Sequence, residues 1–222
     1  MIKAVLWDWD GVISAMNLEE AFSSSLDMPI SEKEKMRIFW RNFLKFGVRC
    51  PDEYPYCEKF YSMIEKESRY KVNSDFHERL KKYVKERRGI IRPEIPEILE
   101  ELNSKHTLAI LTSADGRDEK VELAKKHDIL KYFDYVFPLK GSSFLKPESR
   151  IYQQAEDKLK VKSKEIFYID DNITRGIRPA KSRGWTTCFF APFSYLSFEK
   201  IPLELKPDYT VKKVNQIKKI FS

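Results

Sequence analysis

The sequence is poor in the residues that build disulfide frameworks, zinc sites and histidine-based active sites. It contains three cysteines and three histidines in 222 residues. The cysteines (Cys50, Cys57 and Cys188) are odd in number and lack C-x-x-C spacing, so neither a disulfide framework nor a zinc site is indicated. The histidines form no H-x-E or H-E-x-x-H arrangement. We therefore expect a protein of a reducing compartment whose chemistry uses other side chains.

Long uncharged apolar runs are also absent, so the sequence predicts no membrane-spanning helix and no membrane partner. The segment before the first acidic residue, Asp8, is too short for the apolar core of a signal peptide. These two absences predict a cytoplasmic protein.

Positive charge is in excess, with a net charge of +7 and a pI near 9.1. Such a charge attracts anions in general, phosphorylated metabolites and nucleic acids among them. The strongest basic run, KKYVKERR at 81–88, has helical spacing, which favours a solvated helix face over a nucleic-acid contact. No nucleic-acid motif accompanies it, so we expect no specific nucleic-acid partner.

From about residue 94, amphipathic helices alternate with short apolar strands. The helical segments are PEIPEILEELN, RDEKVELAKKHDIL, PESRIYQQAEDKLK, RGIRPAKSRG and KKVNQIKKIF, and the strands are TLAILTS, YVFPL, EIFYIDD, TTCFFA and DYTV. The Pro-containing stretch at 190–207 is expected to be loop in part. This alternation predicts an α/β fold with a doubly wound, mostly parallel, Rossmann-like sheet.

Residues 15–88 depart from that alternation. Their segments NLEEAFSSSL, SEKEKMRIFWRNFLKF, PYCEKFYSMIEKES and SDFHERLKKYVKER carry helical periodicity with no strand between them. The sequence therefore predicts an α/β core of residues 1–14 and 89–222 with a helical cap inserted at 15–88.

The first apolar run ends abruptly at Asp8 and Asp10, two carboxylates one residue apart. Polar residues likewise follow two other predicted strands or precede a predicted helix: Thr112, Ser113, Lys146, Asp170 and Asp171. Each alone has an ordinary interpretation as a helix cap. Because ligands bind at the carboxyl ends of parallel strands, these residues together predict a site at that edge of the sheet.

Four of these segments, in order, resemble the motifs of the haloacid dehalogenase-like hydrolase superfamily. DWDGV at 8–12 is similar to that family's nucleophile motif, and Thr112 after LAIL is similar to its second motif. Lys146 in KPESRIY and IDDN at 169–172 are similar to the third and fourth. The motifs span nearly the whole chain, and the insertion between the first two resembles the family's first type of cap.

The residue types fit phosphoryl transfer. A carboxylate such as Asp8 can attack phosphorus and form an aspartyl-phosphate when cations offset the repulsion between two anions. Lys146 and Mg²⁺ supply that charge, and Thr112 and Lys146 stabilise the transferring phosphoryl group. Asp10, two residues along the same strand face, protonates the departing alkoxide and later activates water. The resemblance implies the same roles.

Oxygen ligands suit Mg²⁺, and we expect Asp8, the Asp10 carbonyl and Asp171 to hold the ion, with Asp170 as their neighbour. Helix capping is the alternative interpretation of the two adjacent acids at 170 and 171. Ser113 stands where the family often has Asn, and we expect it to contact the substrate.

Arg175 is a larger departure, since many members have an acid or Asn four residues after Asp171. This change weakens the metal site unless Asn172 compensates, or else Arg175 binds a substrate anion. In the cap segment MRIFWRNFLKFGVR, Arg41 and Arg49 are candidates for contacts with the substrate's leaving group. The alternative is a helix whose cations lie in water.

The sequence thus predicts a Mg²⁺-dependent phosphatase that hydrolyses a small phosphorylated metabolite. A haloacid dehalogenase is a poorer interpretation, because the resemblance to dehalogenases implies a non-acidic residue in place of Asp10. A catalytically weak relative that binds a phosphorylated ligand or a protein partner is the alternative from another class. Arg175 favours this alternative. The intact set of motif residues opposes it: Asp8, Asp10, Thr112 and Lys146.

Overall fold

Within the residues that the structure describes, the sheet has six short strands: β1 (Ala4–Trp7), β2 (Thr107–Leu111), β3 (Tyr135–Phe137), β4 (Ile166–Asp170), β5 (Thr186–Phe190) and β6 (Tyr209–Val211). All pairs are parallel, and the order is β3-β2-β1-β4-β5-β6. The chain builds β2 and β3 on one side of β1 and then crosses to build β4, β5 and β6 on the other. The predicted doubly wound parallel α/β fold is confirmed.

This computed structural model describes residues 1–16, 18–49, 57–73, 75–191 and 206–221, with the backbone alone at 18–19 and 47–49. Cys50 and most of the predicted loop at 190–207 lie outside the described residues. Among the helices that are described, none has the length and apolar content needed to cross a membrane.

The strands are apolar on both faces because helices cover the sheet on both sides. Along β1, Val5 and Trp7 pack on one face with helix α5 (Ile95–Asn103) and the C-terminal helix α9 (Asn215–Phe221). Ala4 and Leu6 pack on the opposite face with helices α7 (Ser149–Leu159) and α8 (Arg178–Ser182). The helix α6 (Arg117–Lys126) lies on the same side as α5, through Ala124.

In the described part of the segment between residues 15 and 88 lie the helices α1 (Leu18–Ser25), α2 (Glu32–Arg49), α3 (Glu58–Ser68) and α4 (Phe76–Arg88). Their shared core is rich in phenylalanine, with Phe22, Phe39, Phe43, Phe46, Phe60 and Phe76 all buried. The same cluster includes Ile173 and Ile177, from the helical turn Ile173–Ile177 that follows β4. The helices of the insertion therefore pack directly against the turn that follows the fourth sequence motif.

The chain segments that enter and leave these helices run side by side. Ser14 forms an isolated antiparallel bridge with Ile91. The amide of Ala15 donates to the carbonyl of Ile90 (2.6 Å), and that of Arg92 donates to the carbonyl of Ile13 (3.1 Å). This paired connection lies just beyond the end of β1 and links the helical insertion to the sheet.

Candidate active site

The register of the sheet brings the ends of three strands together. Trp7 on β1 pairs with Ile110 on β2 and with Ile169 on β4, and the Asp8 amide donates to the Ile169 carbonyl at 2.9 Å. A pocket of about 130 Å³ opens at this edge of the sheet. Most of the residues predicted for the site line it: Asp8, Asp10, Thr112, Ser113, Lys146 and Asp171.

Lys146 joins two of the predicted carboxylates. Its ammonium donates to Asp8 Oδ1 at 2.5 Å, to Asp170 Oδ2 at 2.9 Å and to the Tyr168 hydroxyl at 3.1 Å. The Tyr168 hydroxyl in turn donates to Asp170 Oδ2. All four side chains are buried, so this network fixes the Asp8 carboxylate in one orientation.

The backbone of Lys146 is held on both sides. Its amide donates to Ser113 Oγ at 3.1 Å, and its carbonyl accepts a hydrogen bond from the Arg175 guanidinium. Ser113 and Arg175 therefore hold the backbone of Lys146 in position. Asn172 caps the turn that carries Arg175, because its side-chain oxygen accepts from the Arg175 amide at 3.0 Å.

Lys146 alone does not neutralise the carboxylates of Asp8, Asp170 and Asp171. Burial raises the pKa of Asp8 to about 7, although Lys146 opposes this shift. Burial, together with the charges of Asp170 and Asp8, raises the pKa of Asp171 well above its usual range. Burial would lower the pKa of Lys146, but Asp170 and Asp8 outweigh it and raise that pKa. Lys146 stays charged, and the three carboxylates favour a further cation.

These carboxylates also have the arrangement that a hard cation needs. Ligand oxygens of Asp8, Asp170 and Asp171 all lie within 4.8 Å of one another. Gly11, whose φ of 84° suits glycine, leaves room for Asp171, since a Cβ there would collide with its carboxylate. A Cβ on Gly176 would collide with Asp170 in the same way. An all-oxygen donor set of this kind fits Mg²⁺.

Asp10 lies in a different electrostatic environment. Arg88, at the end of α4, donates to both of its oxygens (Nε to Oδ1 at 2.9 Å, Nη2 to Oδ2 at 3.1 Å). Lys120, on α6, approaches Oδ2 at 3.0 Å. Burial alone would raise the pKa of Asp10, but Lys120 and Arg88 outweigh it and lower that pKa. Asp10 is therefore ionised in this arrangement.

Thr112 follows β2 and is 1% exposed. Its amide donates to the Phe137 carbonyl at 2.9 Å, and its hydroxyl oxygen accepts a hydrogen bond from Lys120 at 2.5 Å. Thr112 and Asp10 thus share one lysine.

The two cap cations have other surroundings. Arg41, with 44% of its side chain exposed, pairs with Glu67 on α3 at 2.7 Å and does not line the described pocket. The side chain of Arg49 lies outside the described residues. A role for either in substrate binding stays a prediction.

Sequence reasoning missed Lys120, Arg88 and Tyr168. Arg88 closes the basic run at 81–88 that was interpreted as solvated, and the structure turns this last member inward. Lys120 lies on a helix with many charged residues, and nothing in its spacing distinguishes it. Tyr168 could have been found from the sequence, because it stands two residues before Asp170 on the same strand and its side chain therefore lies on the same face of the sheet.

Comparison with known proteins agrees with this geometry. A family model described as haloacid dehalogenase-like hydrolase matches residues 5–190. The chain belongs to the haloacid dehalogenase-like hydrolase family. The predicted family is confirmed, and the chain is a hydrolase of that family. A search of curated proteins found no significant match.

Solved structures of haloacid dehalogenase-like (HAD) hydrolases share the fold over their whole length. The HAD-hydrolase YfnB from Bacillus subtilis, bound to magnesium, is 15% identical with a TM-score of 0.65, covering 100% of this chain and 99% of that one. A HAD phosphatase from Thermococcus onnurineus is 22% identical with a TM-score of 0.60, covering 100% and 98%. L-2-haloacid dehalogenase from Xanthobacter autotrophicus is 17% identical with a TM-score of 0.57, covering 100% and 98%. The shared fold therefore includes both phosphatases and dehalogenases.

Proposed function

We propose that this hydrolase is a Mg²⁺-dependent phosphatase that cleaves a small phosphorylated metabolite through an aspartyl-phosphate on Asp8. The observation that carries the proposal is the pair of carboxylates on one loop: Asp8 held by Lys146 at 2.5 Å and Asp10 held by Arg88 and Lys120. An acid at position 10 favours phosphatase over dehalogenase, because phosphate-ester cleavage must move a proton at the leaving oxygen and at water.

The first step is attack of an Asp8 oxygen on phosphorus. A bond forms between that oxygen and phosphorus, and the bond from phosphorus to the leaving oxygen breaks. Lys146 fixes the Asp8 carboxylate, and Thr112, which lines the same pocket, donates to an oxygen of the phosphoryl group. Asp8, Asp171 and the Asp10 carbonyl, beside Asp170, would hold a Mg²⁺ ion, whose charge would offset the repulsion between carboxylate and phosphate.

The second step is hydrolysis of the aspartyl-phosphate. Asp10 takes a proton from water as the water oxygen attacks phosphorus, and the Asp8 carboxylate is released. The lowered pKa of Asp10 suits this role, since the group must be ionised to accept a proton. In the first step an alkoxide leaving group needs a proton, which Asp10 carries only in the minor protonated form that its lowered pKa leaves. An aryl oxide departs without a proton and is therefore the faster leaving group.

The helices at 15–88 are proposed to act as a cap over this pocket. Met16 and Val84, which flank or belong to these helices, contribute to the pocket lining. The pocket volume of about 130 Å³ supports a compact leaving group. Arg41 lies on the same set of helices, away from the described pocket lining.

A substrate screen tests the proposal. We expect hydrolysis of an aryl phosphate that requires Mg²⁺ and stops with a chelator, and slower hydrolysis of alkyl phosphates unless their alcohol fits the cap. Release of halide from 2-haloacids without phosphate release would overturn the proposal in favour of a dehalogenase. Phosphate release that persists in chelator would overturn the Mg²⁺ requirement.

A further inference from the structure

All three N–H donors of the Lys146 ammonium are used in hydrogen bonds to the protein. An ammonium carries three N–H donors. In Lys146 these match three acceptors: Asp8 Oδ1, Asp170 Oδ2 and the Tyr168 hydroxyl. For Lys146 to bind a phosphoryl oxygen directly, one of these buried contacts has to break. Its geometry is that of a group that orients the nucleophile.

Lys120 has a donor left. It is 4% exposed and lines the same pocket, and its Nζ contacts two acceptors, Thr112 Oγ1 at 2.5 Å and Asp10 Oδ2 at 3.0 Å. No further acceptor contacts this ammonium among the described residues. A buried N–H without an acceptor is unfavourable, so the third donor of Lys120 favours a ligand atom with a lone pair.

The hydroxyl of Thr112 is in the same situation. Its oxygen accepts the hydrogen bond from Lys120, so its own hydrogen must point elsewhere. Within the described part of the chain, no residue accepts that hydrogen, and Thr112 is 1% exposed. Lys120 and Thr112, whose donor atoms are 2.5 Å apart, are therefore buried in the pocket lining, and each has a hydrogen that no described residue accepts.

We propose that Lys120 is the lysine that binds the phosphoryl group, donating to one of its oxygens together with Thr112, while it holds Thr112 and Asp10 in place. The inference rests on the proposed phosphatase function and divides the work between two lysines. Lys146 orients the nucleophile, and Lys120 offers the unused donor to the anion that the nucleophile attacks. The expected contact of Lys146 with the phosphoryl group would require one of its three buried hydrogen bonds to break. No proton changes place at Lys120, which acts as a charged donor throughout.

The decisive variant is Lys120→Met, which keeps the length of the side chain and removes the charge and the donors. The matched control is Lys126→Met, the same substitution on the same helix at an exposed position. For both variants we measure the Kd of inorganic phosphate by calorimetry and kcat and KM on an aryl phosphate, with circular dichroism as the check on folding. Lys120→Gln replaces Lys120→Met if the latter does not fold.

We expect Lys120→Met to weaken phosphate binding and to lower kcat/KM by about 100-fold, the usual loss when one preorganised donor is removed from a developing charge. Lys126→Met should match the wild type. In a double-mutant cycle, Thr112→Val and Lys120→Met should be far from additive, because each removes the other's partner. A merely structural lysine would not produce that coupling in phosphate affinity.

The outcomes separate this inference from the proposed function. If the wild type hydrolyses phosphate esters and Lys120→Met binds phosphate equally well, the role of Lys120 is wrong and the phosphatase stands. If the wild type binds phosphate through Lys120 without hydrolysing any ester, the anion site stands and the phosphatase is wrong. A wild type that neither binds phosphate nor hydrolyses esters overturns both.

Discussion

The contact between Arg88 and Asp10 predicts that one substitution changes stability in a pH-dependent way. Arg88 makes two hydrogen bonds to the Asp10 carboxylate, at 2.9 and 3.1 Å, and the side chains keep 23% and 20% exposure. Arg88→Met removes both bonds and retains part of the packing. Since Arg88 ends α4 and Asp10 follows β1, the change also removes a link between the helical insertion and the sheet.

The magnitude follows from the number and the exposure of these bonds. Charge-assisted hydrogen bonds contribute about 1.5–3 kcal/mol each when well buried. Lys120 remains on Asp10 after the substitution, and partial exposure weakens the pair. We therefore expect Arg88→Met to lower the free energy of unfolding by about 2 kcal/mol at neutral pH.

The sign of the pH dependence follows from the lowered pKa of Asp10. A carboxyl whose pKa is lower in the folded state contributes stability above its unfolded pKa, about 3.9 for Asp. That contribution is lost as the pH falls through the folded-state pKa. The difference between wild type and Arg88→Met should therefore be complete at neutral pH and shrink below about pH 4.

Urea unfolding in chelator, at neutral and acidic pH, measures this difference without a bound metal. The matched control is Arg87→Met, because Arg87 is the exposed neighbour and its contact with Glu20 is longer, at 3.4 Å. Glu119→Gln separates the contribution of the Arg88 contact with Glu119, at 3.0 Å. A loss in Arg88→Met that is the same at every pH would refute the electrostatic reasoning and assign the effect to packing.

Three further predictions concern the pocket. Asp8→Asn should abolish turnover and covalent trapping of phosphate, because an amide is a poor nucleophile; turnover near the wild-type rate would exclude Asp8 as the nucleophile. Gly11→Ala should lower the midpoint of thermal unfolding and raise the Mg²⁺ concentration for half-maximal rate, because the added Cβ would displace the Asp171 carboxylate. The control is Gly141→Ala, which is also at positive φ but has no atom within 4 Å of the added Cβ. It should leave the Mg²⁺ requirement unchanged. Arg175→Asp should lower that Mg²⁺ concentration, because it replaces a positive charge in the pocket lining, near the proposed metal ligands, with a negative one. An unchanged or higher requirement would contradict this prediction.

Much of the candidate site was predictable because its residues stand at strand ends. Asp8, Thr112 and Asp171 each follow a short apolar run, and apolar runs between helices predict parallel strands. In a parallel sheet the carboxyl ends of strands share one edge, so distance along the chain does not matter. The apolar runs predict where the strands end, and the rule that parallel strands share one carboxyl edge predicts that these residues meet at one pocket.

The sequence by itself determined the family, the alternation of strands and helices and the order of the motifs, all of which are encoded in short segments. Only the tertiary structure decided which cation contacts which acid. Arg88 is 78 positions from Asp10, and Lys120 bonds Thr112 from the second turn of a helix. Long flexible cations on charged helices reach several partners, and the choice depends on how each helix packs against the sheet. That packing is a property of the folded chain, so the two lysines and the arginine acquire their separate contacts only there.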